Sequence, residues 1–394
     1  MYILVATDTY FPHVNGNSIF TQRLVKGLIA RGHTATIIAP SRGFWDETYE
    51  RDGATIYGIG SIPLIPAMGF RACIPKVIQW RIDQILHEEK PDVIHVQGHF
   101  PISAAAMDSV EAKNIPIVGT NHFMPDNLTH YLHLPEQWEE LAKEWTWKQC
   151  CRAFSRMDAV TTPTKIAAKL LKEAGFEKEI LPISCGIDLE RFKSGDRIAA
   201  GKKWNLPDVP RFLFVGRLDE EKHVDHIIRA FAQARKDVPM CLVLGGKGVL
   251  LEHLKALARE LGVDQDIFFL GYVADDDLPM LYQAADCFII ASTAELQSIA
   301  TMEAMSSGLP VIGVDAAALP DLIHHEENGI LLSPDDIQSM TQAMKRIASN
   351  PTERIAFGLA SRKIIEPHAI ARTITLYEEL YRSVIAKKQA ALSQ

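Results

Sequence analysis

The chain has 394 residues, with 41 Lys and Arg against 49 Asp and Glu and a formal net charge of −8. That length exceeds one ordinary core and calls for two domains, and the acidic balance excludes a general nucleic-acid binder. With 47% hydrophobic and 23% charged residues the chain has a globular composition, not a disordered one.

Tyr2–Thr7 is a short apolar run, followed by the turn-rich segment FPHVNGNS and a helical pattern from about Ile19 to Arg31 that ends at Gly32. Thr36–Ala39 is the next strand, which makes a βαβ opening. A continuous apolar run, not an alternating one, marks a parallel strand buried on both faces. The pattern repeats at Val93–Val96, Pro116–Thr120 and Ala159–Thr162, the last preceding a helix over Lys165–Ala174. It pauses over the polar, proline-bearing stretch Asp188–Pro210 and restarts at Arg211–Val215. Strands follow at Met240–Leu244, Ile267–Leu270, Cys287–Ala291, Val311–Val314 and Gly329–Leu332, and a last helix at Ala369–Lys388. Strands alternating with helices imply α/β architecture with parallel sheets covered on both faces. The restart sets the expected domains: 1–200, 201–368, and a C-terminal helix 369–394 that could pack back on the first.

The six cysteines, Cys73, Cys150, Cys151, Cys185, Cys241 and Cys287, form no CxxC pair and fit no zinc module, so reduced thiols are expected. No apolar run reaches the roughly 18–20 residues of a membrane span, and MYILVATDTY enters a strand with no basic leader. A cytoplasmic location is expected, with peripheral contact to the inner face of the membrane left open.

In doubly wound sheets ligands bind outside the carboxyl ends of the strands. After Phe212–Val215 come Gly216, Arg217 and Lys222, two cations five residues apart on a strand-to-helix loop. They suit a pyrophosphate; the alternative is a surface pair beside Asp219, Glu220 and Glu221. After Cys287–Ala291, Glu295 lies in a loop and Glu303 about two turns into the next helix. The helix start near Ser298–Ala300 offers free N–H groups and a positive dipole end for a phosphate. Glu295 can accept from sugar hydroxyls and Glu303 from a ribose diol; the alternative is a capping carboxylate and a solvated one. His95 and His99 have i,i+4 spacing, but they span a strand end and a loop, so no metal site is expected there.

GRLDEEKHVDHIIRAF, LVLGGKG, FFLGYV and ADCFIIASTAELQSIATMEAMSSGLPVIG, in that order, resemble the C-terminal domain of the retaining GT-B glycosyltransferases of family 4. FPHVNGNS, DVIHVQGHFP, GTNHF, TPT and SCGIDLERF resemble its N-terminal half. The resemblance implies two Rossmann-like domains facing across a cleft and transfer of a hexose from a nucleotide sugar to an acceptor hydroxyl. It assigns Arg217 and Lys222 to the donor pyrophosphate, Glu295 to the transferred sugar, Glu303 to the ribose and Leu296, Gln297, Ser298, Ile299 and Ala300 to the distal phosphate. Tyr272 and Val273 fall on the strip against the base, Gly16 and Gly216 on glycine positions near the donor, and His122 on a histidine near the reacting carbon. No metal or other cofactor is implied. Asn15-Gly16-Asn17 and Leu296-Gln297-Ser298 depart from the glycine runs common in the family.

TNHFMPDN and ELQSIATMEAM are most similar to the bacterial branch that glycosylates diacylglycerol, which favours UDP-glucose over GDP-mannose and a lipid acceptor over a small molecule. Ile62–Ile82, apolar with Arg71, Lys76 and Arg81 and no acid, and the basic series Lys148, Arg152, Arg156, Lys165, Lys169 and Lys172 suit docking on an anionic membrane. A core helix with snorkelling cations is the alternative for the first. Trp138, Trp145 and Trp147 are either membrane-facing or core. A sugar-nucleotide epimerase that hydrolyses, and a non-catalytic subunit of the same fold, are the competing functions.

Overall fold

The computed structural model describes residues 1–12, 15–65, 70–73, 75–111, 114–125 and 135–393. It divides into two compact units, Met1–Gly186 with Ile370–Gln394, and Ile187–Ala369. The division therefore lies some residues before the restart at Arg211. Ile187 pairs with Ala369 in an isolated bridge, so unit 2 begins and ends at neighbouring backbone.

In unit 1 the strands are β1 (Tyr2–Ala6), β2 (Thr34–Pro40), β3 (Glu47–Arg51), β4 (Ala54–Ile59), β5 (Ser61–Ile65), β6 (Phe70–Cys73), β7 (Val93–Val96), β8 (Ile117–Thr120), β9 (Ala159–Thr162) and β10 (Leu181–Pro182). The main sheet has the order β10-β9-β8-β7-β1-β2-β4-β3, parallel except where β3 meets β4. Its helices are α1 (Gly16–Ala30), α2 (Pro75–Glu89), α3 (Pro101–Glu111), α4 (Glu136–Phe154) and α5 (Lys165–Glu173). β1, YILVA, is almost wholly buried because helices cover both faces. β5 and β6 form a separate antiparallel hairpin, so among the described residues the window Ile62–Ile82 is helical only from Pro75. Arg71 holds that hairpin, donating to Ser61 Oγ at 2.7 Å and to Ser61 O at 2.8 Å.

In unit 2 a short helix, α6 (Arg197–Lys202), interrupts the polar stretch. Then come β11 (Arg211–Val215), α7 (Val224–Ala234), β12 (Cys241–Gly245), α8 (Leu251–Glu260), β13 (Ile267–Gly271), α9 (Leu278–Gln283), β14 (Cys287–Ile290), α10 (Ile299–Ser306), β15 (Val311–Val314), β16 (Gly329–Leu332), α11 (Ile337–Ser349) and α12 (Pro351–Ile365). The sheet is parallel, in the order β13-β12-β11-β14-β15-β16. α7 buries Val224, Ile227, Ile228 and Phe231 against it.

The C-terminal helix α13 (Ile370–Leu392) belongs to unit 1. Its Tyr377 and Tyr381 are fully buried. Tyr381 Oη lies 2.7 Å from His95 Nδ1, and Tyr377 Oη lies 3.1 Å from both Thr120 and Thr161 Oγ1. Glu378 completes the seam with Arg31 and His33, each at 2.7 Å. These partners explain why the mid-strand His95 is tolerated: burial drives its pKa down to about 3, and the neutral ring is hydrogen-bonded at both nitrogens.

Candidate active site

Both sheets have a topological switch point, where consecutive connections leave in opposite directions. In unit 2 it lies between β11 and β14, and the two segments singled out in the sequence follow those two strands.

The turn after β11 is fastened by backbone. Gly216 N–H donates to Gly245 O and Leu218 N–H to Lys247 O, both at 3.0 Å. Glycine is required in the partner loop. A Cβ on Gly246 would lie 1.8 Å from Gly216 O, and one on Gly248 2.3 Å from Leu218 O.

Arg217 is held by Asp219 at 2.9 Å and Glu221 at 2.6 Å. Those two acids are buried, not surface charges, and Asp219 also accepts from Val249 N–H. Lys222 Nζ lies 2.7 Å from Glu295 Oε1 and 3.4 Å from Ser292 Oγ, joining the two strand-end loops. The Lys222 and Glu295 side chains are 13% and 15% exposed, so this ion pair is only thinly screened by water.

Ser298 caps α10 through its Oγ, which accepts from Thr301 N–H at 3.3 Å. Leu296, Gln297 and Ser298 are buried, while Ile299 and Ala300 are partly exposed at the helix start. Glu303 is the fifth helical residue, only about one turn in at about 3.6 residues per turn, a correction to the expected two. Nor is it solvated: it is 3% exposed, and Tyr282 Oη donates to its Oε2 at 3.0 Å. Tyr272 and Val273 follow β13, with Tyr272 exposed.

In unit 1 the switch lies between β1 and β7. Gly16 is not on a loop: it is the first residue of α1, N-capped by Asn15 in a reciprocal box with Ser18. Asn17 Nδ2 lies 3.3 Å from Thr7 and Thr9 Oγ1 and 3.4 Å from Gln97 O, tying α1 to the ends of β1 and β7. His122, just past β8, packs on Phe20 at 4.7 Å. Its Nε2 lies 2.9 Å from Gln97 Oε1, an acceptor, which favours the Nε2–H tautomer and leaves Nδ1 as the accepting nitrogen. Burial drives its pKa down to about 3, so the ring is neutral at physiological pH.

Unit 1 therefore gathers hydroxyl, amide and imidazole groups where unit 2 gathers charges. Tyr282, Gln97 and Asp219, unassigned in the sequence, hold three of the assigned residues. His13, His130, His133 and the Asp126-Asn127 end of TNHFMPDN lie outside the described residues.

Residues 14–191 match the family described as Glycosyltransferase Family 4, and residues 196–364 that described as Glycosyl transferases group 1. The chain belongs to the family 4 glycosyltransferases. Curated relatives include the α-monoglucosyldiacylglycerol synthase of Streptococcus pneumoniae, 28% identical over 84% of this chain and 75% of that protein. The GDP-mannose-dependent α-mannosyltransferase of Corynebacterium glutamicum is 27% identical over 87% and 79%. Among solved structures, sucrose-phosphate synthase from Thermosynechococcus elongatus has a TM-score of 0.84 at 20% identity, covering 98% of this chain and all of that one. Anabaena HepE in complex with UDP-glucose has a TM-score of 0.79 at 18% identity, covering 97% of this chain and all of that one. The fold of this glycosyltransferase is therefore GT-B, with a doubly wound sheet in each unit that is parallel apart from the β3–β4 edge of unit 1.

Proposed function

We propose that this glycosyltransferase moves a hexose from a nucleoside diphosphate, UDP-glucose in preference to GDP-mannose, to a hydroxyl of a membrane lipid such as diacylglycerol, with retention at the anomeric carbon. The observation that carries the donor reading is the Lys222–Glu295 contact across the β11/β14 switch point, with Arg217 on the same turn. A diphosphate would draw Lys222 from Glu295, freeing that carboxylate to accept from sugar hydroxyls. The free N–H groups of Ile299 and Ala300 would receive a phosphate oxygen. Glu303 would accept from the ribose, oriented by Tyr282.

The acceptor oxygen attacks the anomeric carbon on the face the diphosphate leaves. The carbon–oxygen bond to the phosphate breaks with its electron pair going to the phosphate, which takes the acceptor proton. Lys222 and Arg217 stabilise the charge that builds there, without a metal ion. Neutral His122 offers hydrogen bonding, not charge.

The names of the curated relatives, glucosyl- and mannosyltransferases, support a hexose. Exposed aromatic residues in unit 1 support a lipid acceptor. Trp45 is 78% exposed and Trp80 66%, with Phe44, Ile62 and Leu64 also exposed. The turn bearing Phe44 and Trp45 is bound to the start of β5, Ser61 N–H donating to Gly43 O at 3.0 Å, and Arg81 lies 3.4 Å from Asp46. On α4, Trp138, Leu141 and Trp145 are exposed at i, i+3 and i+7, a single stripe. The basic series carries less of this reading than its count suggests, since Lys148, Arg156 and Lys169 pair with Glu144, Asp108 and Glu173.

Incubation with UDP-glucose, GDP-mannose and a total lipid extract, followed by product mass spectrometry, tests the proposal. A hexosylated lipid is expected. Free hexose alone would favour the hydrolysing epimerase, and no turnover of any donor the non-catalytic subunit.

A further inference from the structure

Immediately beyond Lys222 the chain makes a joint that the donor reading does not use. His223 has left-handed backbone, φ 45°, and ends the turn Glu220–Lys222 while opening α7. Its N–H donates to Glu220 O at 3.0 Å, and its Nε2 lies 3.3 Å from Thr293 Oγ1, in the loop that carries Glu295. His226, three residues on, stands on the same helix face, its ring 5.1 Å from that of His223. Asp335 approaches from the turn after β16, with Oδ1 3.5 Å from His226 Nδ1. One ligand atom from each of His223, His226 and Asp335 lies within 4.8 Å of the others. Asp225 Oδ2, 3.7 Å from His226 Nε2, stands on the other edge of that ring, where a carboxylate orients a ligating imidazole.

We propose that His223, His226 and Asp335 form a regulatory site for a divalent transition ion of the zinc type, and that its occupation weakens binding of the nucleotide sugar. Two imidazoles and one carboxylate are a borderline-soft donor set that suits zinc and disfavours magnesium. Bonds of about 2.0–2.2 Å in a tetrahedral arrangement bring ligand atoms to roughly 3–3.5 Å of one another. His226 and Asp335 already stand at that spacing, and the remaining approach, up to about an ångström, requires the stacked rings to splay. The Asp335 side chain, 73% exposed, can make that movement in solvent.

Closure moves the His223 ring, whose Nε2 reaches Thr293, and fixes the joint from which Lys222 projects. An ion that holds this turn in one arrangement opposes the re-partnering that a diphosphate demands. By linkage, the donor then weakens the ion to the same degree. The coupling rests on the donor reading above; the metal site itself does not.

The test uses the full chain, stripped with chelator and then freed of it. Zinc affinity is read by competition with a zinc-sensitive dye for wild type, His226→Gln and Asp335→Asn, with thermal unfolding as the folding control. One ion per chain at micromolar affinity or tighter is expected, weakened at least about tenfold in each variant and not displaced by excess Mg²⁺. Both variants should keep wild-type transfer without zinc. Saturating zinc should raise the donor KM several-fold in wild type and leave the variants unchanged. Absent binding, or affinity equal in the three proteins, overturns the site. Site-specific binding without a change in donor KM overturns the coupling. If no donor is turned over at all, the proposed function fails, while the dye measurement still decides the site.

Discussion

The two units build the same kind of switch point and fill it with opposite chemistry. In unit 2 the strand ends carry Arg217, Lys222, Glu295 and, one turn down α10, Glu303, and both cations are ion-paired with carboxylates. In unit 1 the corresponding strand ends carry Thr7, Thr9, Asn17, Gln97 and a neutral His122, with one buried acid, Asp8, that is taken up by Ile102 N–H and Ser103 Oγ. The fold therefore chooses where a ligand sits and the side chains choose its charge. A doubly charged leaving group needs cations that strengthen as charge develops. A neutral acceptor hydroxyl needs only hydrogen-bonding groups.

The largest expected effect breaks the charged half. Lys222→Ala and Arg217→Ala should each lower kcat/KM by about 10²–10³ at wild-type fold. The double variant should lose less than the product, since both act on one group. Lys222→Arg should rescue only in part, because a planar fork does not replace a compact ammonium. Losses of only a few-fold would show that the cations merely neutralise Asp219, Glu221 and Glu295.

The two glutamates sharpen the same half. On the proposed assignment Glu295→Ala should chiefly lower kcat, because this group would touch the sugar being distorted. Glu303→Ala should chiefly raise the donor KM, because the ribose contacts proposed for it would change little during reaction. Glu303→Ala also removes the hydrogen bond from the buried Tyr282 hydroxyl and should destabilise the fold by about 1–3 kcal/mol. The reverse kinetic split would exchange the roles.

The neutral half should respond to pH. His95, His99 and His122 are held by burial at about 3, 4 and 3, against about 6.5 in the unfolded chain. Their contribution to stability is complete above about pH 6.5 and is lost as pH falls toward those values, because the unfolded chain binds protons first. Asp8, raised to about 6 by burial, opposes them: its term is present below the unfolded carboxylate value and lost as pH rises through about 6. With three groups against one, the amide protection factors of β7 and β8, corrected for the slower intrinsic exchange at low pH, should fall between pH 7 and 5 before those of β11 and β14 do. His95→Gln, which keeps a donor and an acceptor, should flatten that response. An equal fall in both sheets would contradict it.

The smallest effect concerns metal ions. If Lys222 and Arg217 serve the diphosphate as proposed, transfer in EDTA should stay within a few-fold of the untreated rate. Complete loss restored by Mg²⁺ would assign the leaving-group charge to a cation the chain does not itself carry.

Much of the molecule was legible in sequence order alone. Val93–Val96, Ala159–Thr162, Val311–Val314 and Gly329–Leu332 are strands at the residues read from their runs, because a strand buried on both faces is mostly apolar along its length and carries a polar residue, such as His95, only where it is hydrogen-bonded. The segments after Val215 and Ile290 stood out because charged residues directly beyond such runs are seldom needed for packing. The hairpin β5–β6 was not legible: its partner strands share no periodicity with the helix that follows, and pairing is decided between segments. Nor was the burial of Glu303, Asp219 and Glu221, since a carboxylate reads as solvated until Tyr282, Val249 and Arg217 are brought beside it. The order of segments determined the family and the switch points of the sheets. Only tertiary structure decided which charges are paired, that the neutral His95 is satisfied by a helix 286 residues away, and that His223 and His226 meet Asp335. Those outcomes depend on distance in space, which sequence separation does not encode.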